Sequence, residues 1–125
     1  MKIVVGCSMK YRSLALETVG KLKRLGIITL FPNLEHTDRE EDVAETMAKK
    51  KRFALEHYTS INEADAVYLM TPGGYMGTSL KLELGYAIAK EKPIYFSEPT
   101  NDLALDCYVK EFIPLESLER FLKLK

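Results

Sequence analysis

"DAVYLMTPGGYMGTSLKLELGYAIAKEKPIYFS", residues 65–97, decides the fold. It opens on an apolar run with strand character, "DAVYLM" (65–70). Pro72, Gly73, Gly74 and Gly77 then break the chain, and Leu80, Leu84, Ala87 and Ile88 recur at helical spacing up to about residue 91. "PIYFS" (93–97) is strand-like again. Strand, turn, helix and strand in that order form a crossover unit. Strands that are apolar throughout, alternating with helices, belong to a parallel sheet covered on both faces.

The same alternation runs outward in both directions. "KIVVGCS" (2–8) reads as a buried strand entering a tight turn, followed by a helix over 12–25 carrying Leu14, Leu16, Val19, Leu22 and Leu25, with Gly26 as its cap. "IITLFP" (27–32) is a strand stopped by Pro32, and Thr37 with Glu40 fits a capping box opening a long helix that reaches about Asn62. "YVKEFI" (108–113) reads as a fifth strand and 115–123 as a closing helix. The pattern predicts a flavodoxin-like α/β fold: a doubly wound, five-stranded parallel sheet forming a single three-layer domain over 1–125. In such sheets ligands bind beyond the carboxyl ends of the strands, where the strand order reverses. The loops at 6–11, 31–37 and 71–79 are expected to meet there.

Composition narrows the class. At 125 residues, 46% of them hydrophobic and 29% charged, the chain has material for one core. Eighteen basic residues balance eighteen acidic ones, which argues against binding nucleic acid by bulk phosphate attraction. The apolar runs are far too short to cross a membrane. Cys7 and Cys107 lie far apart behind a strand-like start, so no disulfide framework is indicated and a reducing, cytoplasmic setting is expected. There is no C-x-x-C, no H-x-x-x-H and no G-x-S-x-G, so neither a metal nor a Ser-His-Asp hydrolase is implied, and no cofactor is expected.

In the glycine loop, Gly73, Gly74 and Gly77 permit positive φ and close backbone approach, and Thr78 or Ser79 can cap the following helix. The spacing matches neither the Walker loop nor G-x-G-x-x-G. A tight turn and a ligand cradle both remain open on this evidence. Glu83 sits among Leu80, Leu82, Leu84, Ala87 and Ile88. Periodicity alone favours an exposed charge at the crevice rim, the alternative being a carboxyl facing the crevice as nucleophile or charge stabiliser. His57 reads by itself as a partly buried histidine bonded to a backbone carbonyl. Asp65 is expected to organise the entry to its strand. "KKKR" (49–52) reads as a solvated helix face, and Cys7 as a small buried hydrophobe.

Taken whole, "EHYTSINEADAVYLMTPGGYMGTSLKLELGYAIAKEKPIYF" (56–96) resembles the nucleoside 2-deoxyribosyltransferase family and its small relatives, the deoxynucleoside-monophosphate N-glycosidases. The matching features are Ala64-Asp65, the apolar strand, the glycine loop, Glu83-Leu84-Gly85-Tyr86-Ala87 and Lys92-Pro93, together with "MKIVVGCSM" (1–9) at the start. The resemblance implies that Glu83 is the catalytic nucleophile, attacking the anomeric carbon of a (deoxy)ribosyl group and releasing the base. It implies that Ser8 contacts a sugar phosphate, with Met9, Gly73, Gly74, Tyr75, Gly77, Thr78 and Ser79 lining the ribose or phosphate. A homodimer acting on a small nucleoside or nucleotide is the expected working form, with Asn101 or Asp102 as candidates to reach across its interface.

The chain departs from the pattern at three places. His57 stands where several relatives carry an acidic group, which makes it the second candidate catalytic residue, for acid-base or orienting work. Val4 replaces a tyrosine of the monophosphate hydrolases, and Gly77 an aspartate of some transferases. A non-catalytic nucleotide-binding module of the same fold is the rival reading. "PGGYMGTSLKLE" (72–83) is also similar to the P-G-G-x-G-T-x-x-E signature of the lysine-decarboxylase-like phosphoribohydrolases. Met76 is one residue extra there, and Glu83 falls five past Thr78 rather than three.

Overall fold

The computed structural model describes residues 1–31 and 47–124. Its strands are β1 (Lys2–Gly6), β2 (Ile28–Leu30), β3 (Ala66–Leu69), β4 (Ile94–Phe96) and β5 (Glu111–Phe112), in one sheet of order β2-β1-β3-β4-β5. All four pairings are parallel, so every link must cross a face of the sheet. The helices are α1 (Arg12–Arg24), α2 (Met47–Glu63), α3 (Thr78–Ala89) and the short α4 (Leu103–Asp106). This is the expected flavodoxin-like order, reversing direction between β1 and β3.

Alternation along the strands divides the core in two. Ile3, Val5, Tyr68 and Tyr95 pack with Ala15, Val19 and Leu22 of α1 and with Leu118 and Phe121 near the C-terminus. Val4, Val67, Leu69, Ile94 and Phe96 pack instead with Ile61 of α2 and Leu80, Leu84 and Ala87 of α3. The result is three layers with β1, β3 and β4 buried on both sides, which is why, past the exposed Lys2, their sequences are apolar without a break. Asp65 does the work expected of it, its Oδ2 accepting the Lys2 amide at 2.7 Å and tying the start of β3 to that of β1. Gly26, at φ +83°, follows α1 as its sequence predicts. None of the described helices is long and apolar enough to cross a membrane.

The C-terminal third differs from expectation. The strand predicted over 108–113 is only Glu111–Phe112, because the preceding chain coils into α4. Asp102 caps that helix, its side chain accepting from the Ala104 amide at 3.0 Å. Asp106 gathers the Thr100 hydroxyl at 2.7 Å and the Thr100 and Asn101 amides at 3.0–3.1 Å. The closing segment Leu115–Lys123 is a 3-10 run kinked at Ser117 rather than a regular helix. It docks through Phe121, whose ring meets Tyr68 and Tyr95 edge-on at 5.0 and 5.4 Å. Arg120 ties it to Glu111 by an ion pair. The capping box at Thr37 and Glu40, Pro32, and all of the 31–37 loop beyond Phe31 lie outside the described residues.

The buried Tyr68 hydroxyl donates to the Ile113 carbonyl at 2.5 Å, fastening the C-terminal segment to the middle of the sheet. Tyr68→Phe strands that carbonyl and is expected to lower stability by about 1–2 kcal/mol. Phe121→Ala removes the ring both tyrosines pack on and should cost about 3–5 kcal/mol. Urea unfolding monitored by circular dichroism checks both; the midpoint should fall with an unchanged slope.

Candidate active site

The reversal between β1 and β3 sends α1 to one face and the later helices to the other, leaving a crevice beyond Gly6 and Leu69, which are paired across the two strands. After β1 come Cys7 and Ser8, then a 3-10 turn, Met9–Tyr11, leading into α1. After β3 the chain turns through Pro72–Gly74, where Gly73 and Gly74 take φ of +63° and +82°. This turn is stitched to the end of β4. The amide of buried Thr71 donates to Ser97 Oγ at 2.8 Å, the Thr71 hydroxyl donates to the Glu98 carbonyl at 2.6 Å, and Glu98 Oε2 accepts the Gly73 amide at 3.2 Å. Tyr75 folds back against the first loop, its ring under Lys10 Nζ at 3.7 Å and edge-on to Tyr11 at 6.2 Å.

Gly77 joins the two loops directly. Its amide donates to Ser8 Oγ at 3.0 Å, which occupies one lone pair of the hydroxyl and leaves its proton available to an acceptor. Gly77 is also the residue before α3, and neither Thr78 nor Ser79 caps that helix through its side chain. Both instead lie exposed in the wall of a cavity of about 620 Å³.

That cavity gathers Ser8, Met9, His57, Tyr75, Gly77, Thr78, Ser79 and Glu83 into one wall. Gly73 and Gly74 are not part of the lining; they turn the chain, and Gly74 is packed against the backbone of Pro99 and Thr100. Several lining residues had been read otherwise or passed over in the sequence. Arg12 is buried at the start of α1, Cys7 lies between Gly6 and Ser8, and Lys50 and Lys51 come from the run read as a solvated face. Lys50 and His57 are seven residues apart, two turns of α2, so they share a face. That spacing was the available signal. Phe53 and Tyr58 supply an apolar flank, and Tyr58 is braced by stacking on Tyr86 at 4.5 Å.

Glu83 is not a rim charge. It is only 7% exposed, and His57 only 8%. His57 Nδ1 lies 3.3 Å from Glu83 Oε1, yet it has no hydrogen-bond partner among the described residues. The two groups touch without alignment, so the backbone-carbonyl reading of His57 gives way to a buried nitrogen poised beside a carboxyl. Burial pushes the carboxyl up to about 8, against a smaller downward pull from Lys50. Burial likewise pushes the imidazole down to about 4, partly opposed by Glu56. Between those limits the carboxyl is protonated and the imidazole neutral, so the two hold one proton. Cys7 is raised to about 12 by burial and then by Glu83, with Arg12 opposing, so its thiol stays protonated and unreactive.

No family model matches the chain, and no curated protein does either. Solved structures do. A 2-deoxyribosyltransferase from Bacillus psychrosaccharolyticus is 18% identical, with 95% of this chain and 90% of that one covered at a TM-score of 0.64. A conserved protein from Enterococcus faecalis V583 is 14% identical over 97% and 98%, TM-score 0.66. A CMP N-glycosidase from Clostridium botulinum is 13% identical over 99% and 100%, TM-score 0.60. At these identities the likeness establishes a shared fold along almost the entire chain, the one expected of the resemblance.

The buried pair makes stability depend on pH with a definite sign. From pH 4.5 to 6.5 the folded pair (neutral carboxyl and imidazole) and the unfolded pair (carboxylate and imidazolium) hold equal numbers of protons, so stability is level. Above 6.5 the unfolded histidine is neutral while folded Glu83 keeps its proton until about 8. Stability should therefore fall across that window, by at most about 2 kcal/mol. Glu83→Gln should abolish the decline. Urea titrations at pH 6.5 and 8.5 read the difference.

Proposed function

We propose that this protein is an enzyme acting on the N-glycosidic bond of a (deoxy)nucleoside 5'-monophosphate, with Glu83 as nucleophile and His57 as its proton partner. The observation that carries this reading is a buried carboxyl in contact with an otherwise unpartnered imidazole nitrogen, both in the wall of one cavity. A structural ion pair would be aligned and sealed in the core; this one is neither.

In this reading the carboxyl proton passes to His57 Nδ1 as positive charge develops at C1' beside the carboxyl. The freed carboxylate attacks C1' of the sugar, the C1'–N bond breaks, and its electron pair leaves with the base. The imidazolium returns a proton to that base. Water or a second base then attacks C1' from the opposite side and releases Glu83, with His57 now accepting a proton. An oxocarbenium-like transition state is stabilised by a carboxylate in a site of low dielectric, where Coulomb attraction is strongest.

Charge favours the monophosphate over the free nucleoside. The described lining contains the exposed cations Lys50 and Lys51, against one carboxyl that is itself largely protonated at neutral pH. Ser8, with its lone pair held by Gly77 and its proton free, adds a directional donor on the same wall. The resemblance and the folds of the transferase and the CMP N-glycosidase support the same chemistry.

Incubation with deoxynucleosides and their 5'-monophosphates, followed by chromatography for free base, tests the reading; base should appear, faster from the monophosphates. Glu83→Gln should abolish release with the fold intact by circular dichroism, and His57→Gln should slow it by about 10²–10⁴-fold. Wild-type kcat/KM should be bell-shaped, with limbs near the pair's values of about 4 and 8. The residual activity of His57→Gln should instead rise towards pH 8, because only direct ionisation can then free the carboxylate. A monophosphate that raises the melting temperature with no base released from any substrate favours the non-catalytic module.

A further inference from the structure

We infer that Gly6 is a positioning residue for the proposed reaction: the missing side chain at the end of β1 leaves the space in which the Glu83 carboxyl is seated against His57. This rests on the function proposed above and concerns what aims its nucleophile.

Gly6 is an ordinary strand residue, paired with Leu69 in the β1–β3 ladder, with its carbonyl accepting the Met70 amide at 2.8 Å. It is not among the glycines with positive φ. Backbone freedom therefore does not explain glycine at this position; β-propensity alone would favour a branched residue there. What explains it is space. A Cβ on Gly6 would lie 3.0 Å from Glu83 Oε1, 3.0 Å from Leu80 Cδ1 and 2.8 Å from Leu69 Cδ2. The oxygen in question is the one that faces His57 Nδ1 at 3.3 Å. A methyl group at residue 6 would thus press on the same oxygen that faces His57, in a carboxyl that lines the cavity.

The leucine methyl groups can turn away, since they are the flexible ends of their side chains. The carboxyl can move only by losing its register with His57. A displacement of about 1 Å at a reacting group is enough to cost on the order of 10²-fold in rate. Gly6 thus acts through Glu83 and does not itself touch substrate.

The test uses the full chain carrying Gly6→Ala and, separately, Gly6→Ala with Leu69→Val, which removes the shortest of the leucine contacts. Two readouts are taken: kcat and KM for base release from a deoxynucleoside monophosphate, and NMR titration of the Glu83 carboxyl and the His57 ring, one of only two histidines in the chain. In both variants kcat should fall tenfold or more, with KM changed less than about twofold. The carboxyl should titrate lower than in the wild type and the imidazole higher, as each regains solvent. If Gly6→Ala alone does not fold, the double variant carries both readouts. Unchanged titrations and kcat overturn the inference, as does full recovery on trimming Leu69. A wild-type chain that releases no base, whose pair nevertheless shifts its titration in Gly6→Ala, refutes the proposed reaction and leaves the seat standing.

Discussion

Parallel pairing of β1 with β3, in a register that sets Gly6 beside Leu69, is the constraint on which the rest depends. It brings two loops distant in sequence to one edge and opens the crevice between them, since the connections leave for opposite faces. Three of the contacts that build the site cross this junction. Ser8 holds the Gly77 amide, Lys10 lies on Tyr75, and the Glu83 carboxyl rests over the α-carbon of Gly6. A slip of one residue would turn each side chain of β3 to the other layer, bringing Tyr68 out of its aromatic group and separating Glu83 from its seat.

Within the crevice desolvation outweighs Coulomb attraction. Lys50 pulls the Glu83 carboxyl towards ionisation, but burial is the larger effect and raises it to about 8. The attraction is weak because Lys50 is exposed and screened by water, whereas the carboxyl has lost its hydration outright. The same burial keeps the imidazole neutral. A buried carboxyl next to a nitrogen it does not properly bond is an unfavourable arrangement for folding alone, and such tension is the ordinary mark of a group kept for chemistry. In the proposed reaction, positive charge developing at the sugar beside the oxygen would oppose that desolvation and favour the ionised form.

The sheet was legible because its central strands are buried on both faces and so read as unbroken apolar runs; β1, β3 and β4 fall inside their predicted spans. The edge was not. Around β5 the polar, short-range bonding of Asp102 and Asp106 overrides the strand-like pattern of "YVKEFI". In the site, Glu83 was legible as a residue but not in its burial, because one charge on an apolar helix looks the same whether it faces solvent or a cleft. Three loop glycines were indistinguishable in sequence, although two turn the chain and one presents an amide to Ser8. Arg12, Lys50 and Lys51 were missed for a related reason: the direction in which a basic residue points depends on the rotational phase of its helix, which a mostly polar run such as "KKKR" does not fix.

The three departures from the family pattern have different physical weights. Val4 is 1% exposed and packs in the layer with Ile61 and Leu80, so its exchange for a tyrosine concerns the core beneath the site and not the cavity wall. Gly77 is coupled to Ser8: a Cβ there would come within 3.1 Å of the serine oxygen that its own amide engages. A side chain at 77 would therefore oblige Ser8 to give by a few tenths of an ångström. His57 is the departure that touches the proposed nucleophile, setting a base beside Glu83 where the resemblance implies an acid. An acid at 57 would face Glu83 with a like charge, which would drive one of the two to hold a proton. In the proposed reaction a histidine would reach the same one-proton state by accepting the proton that Glu83 loses. The exchange would therefore preserve the proton count of the site, with residue 57 carrying the proton whenever the Glu83 carboxylate is free.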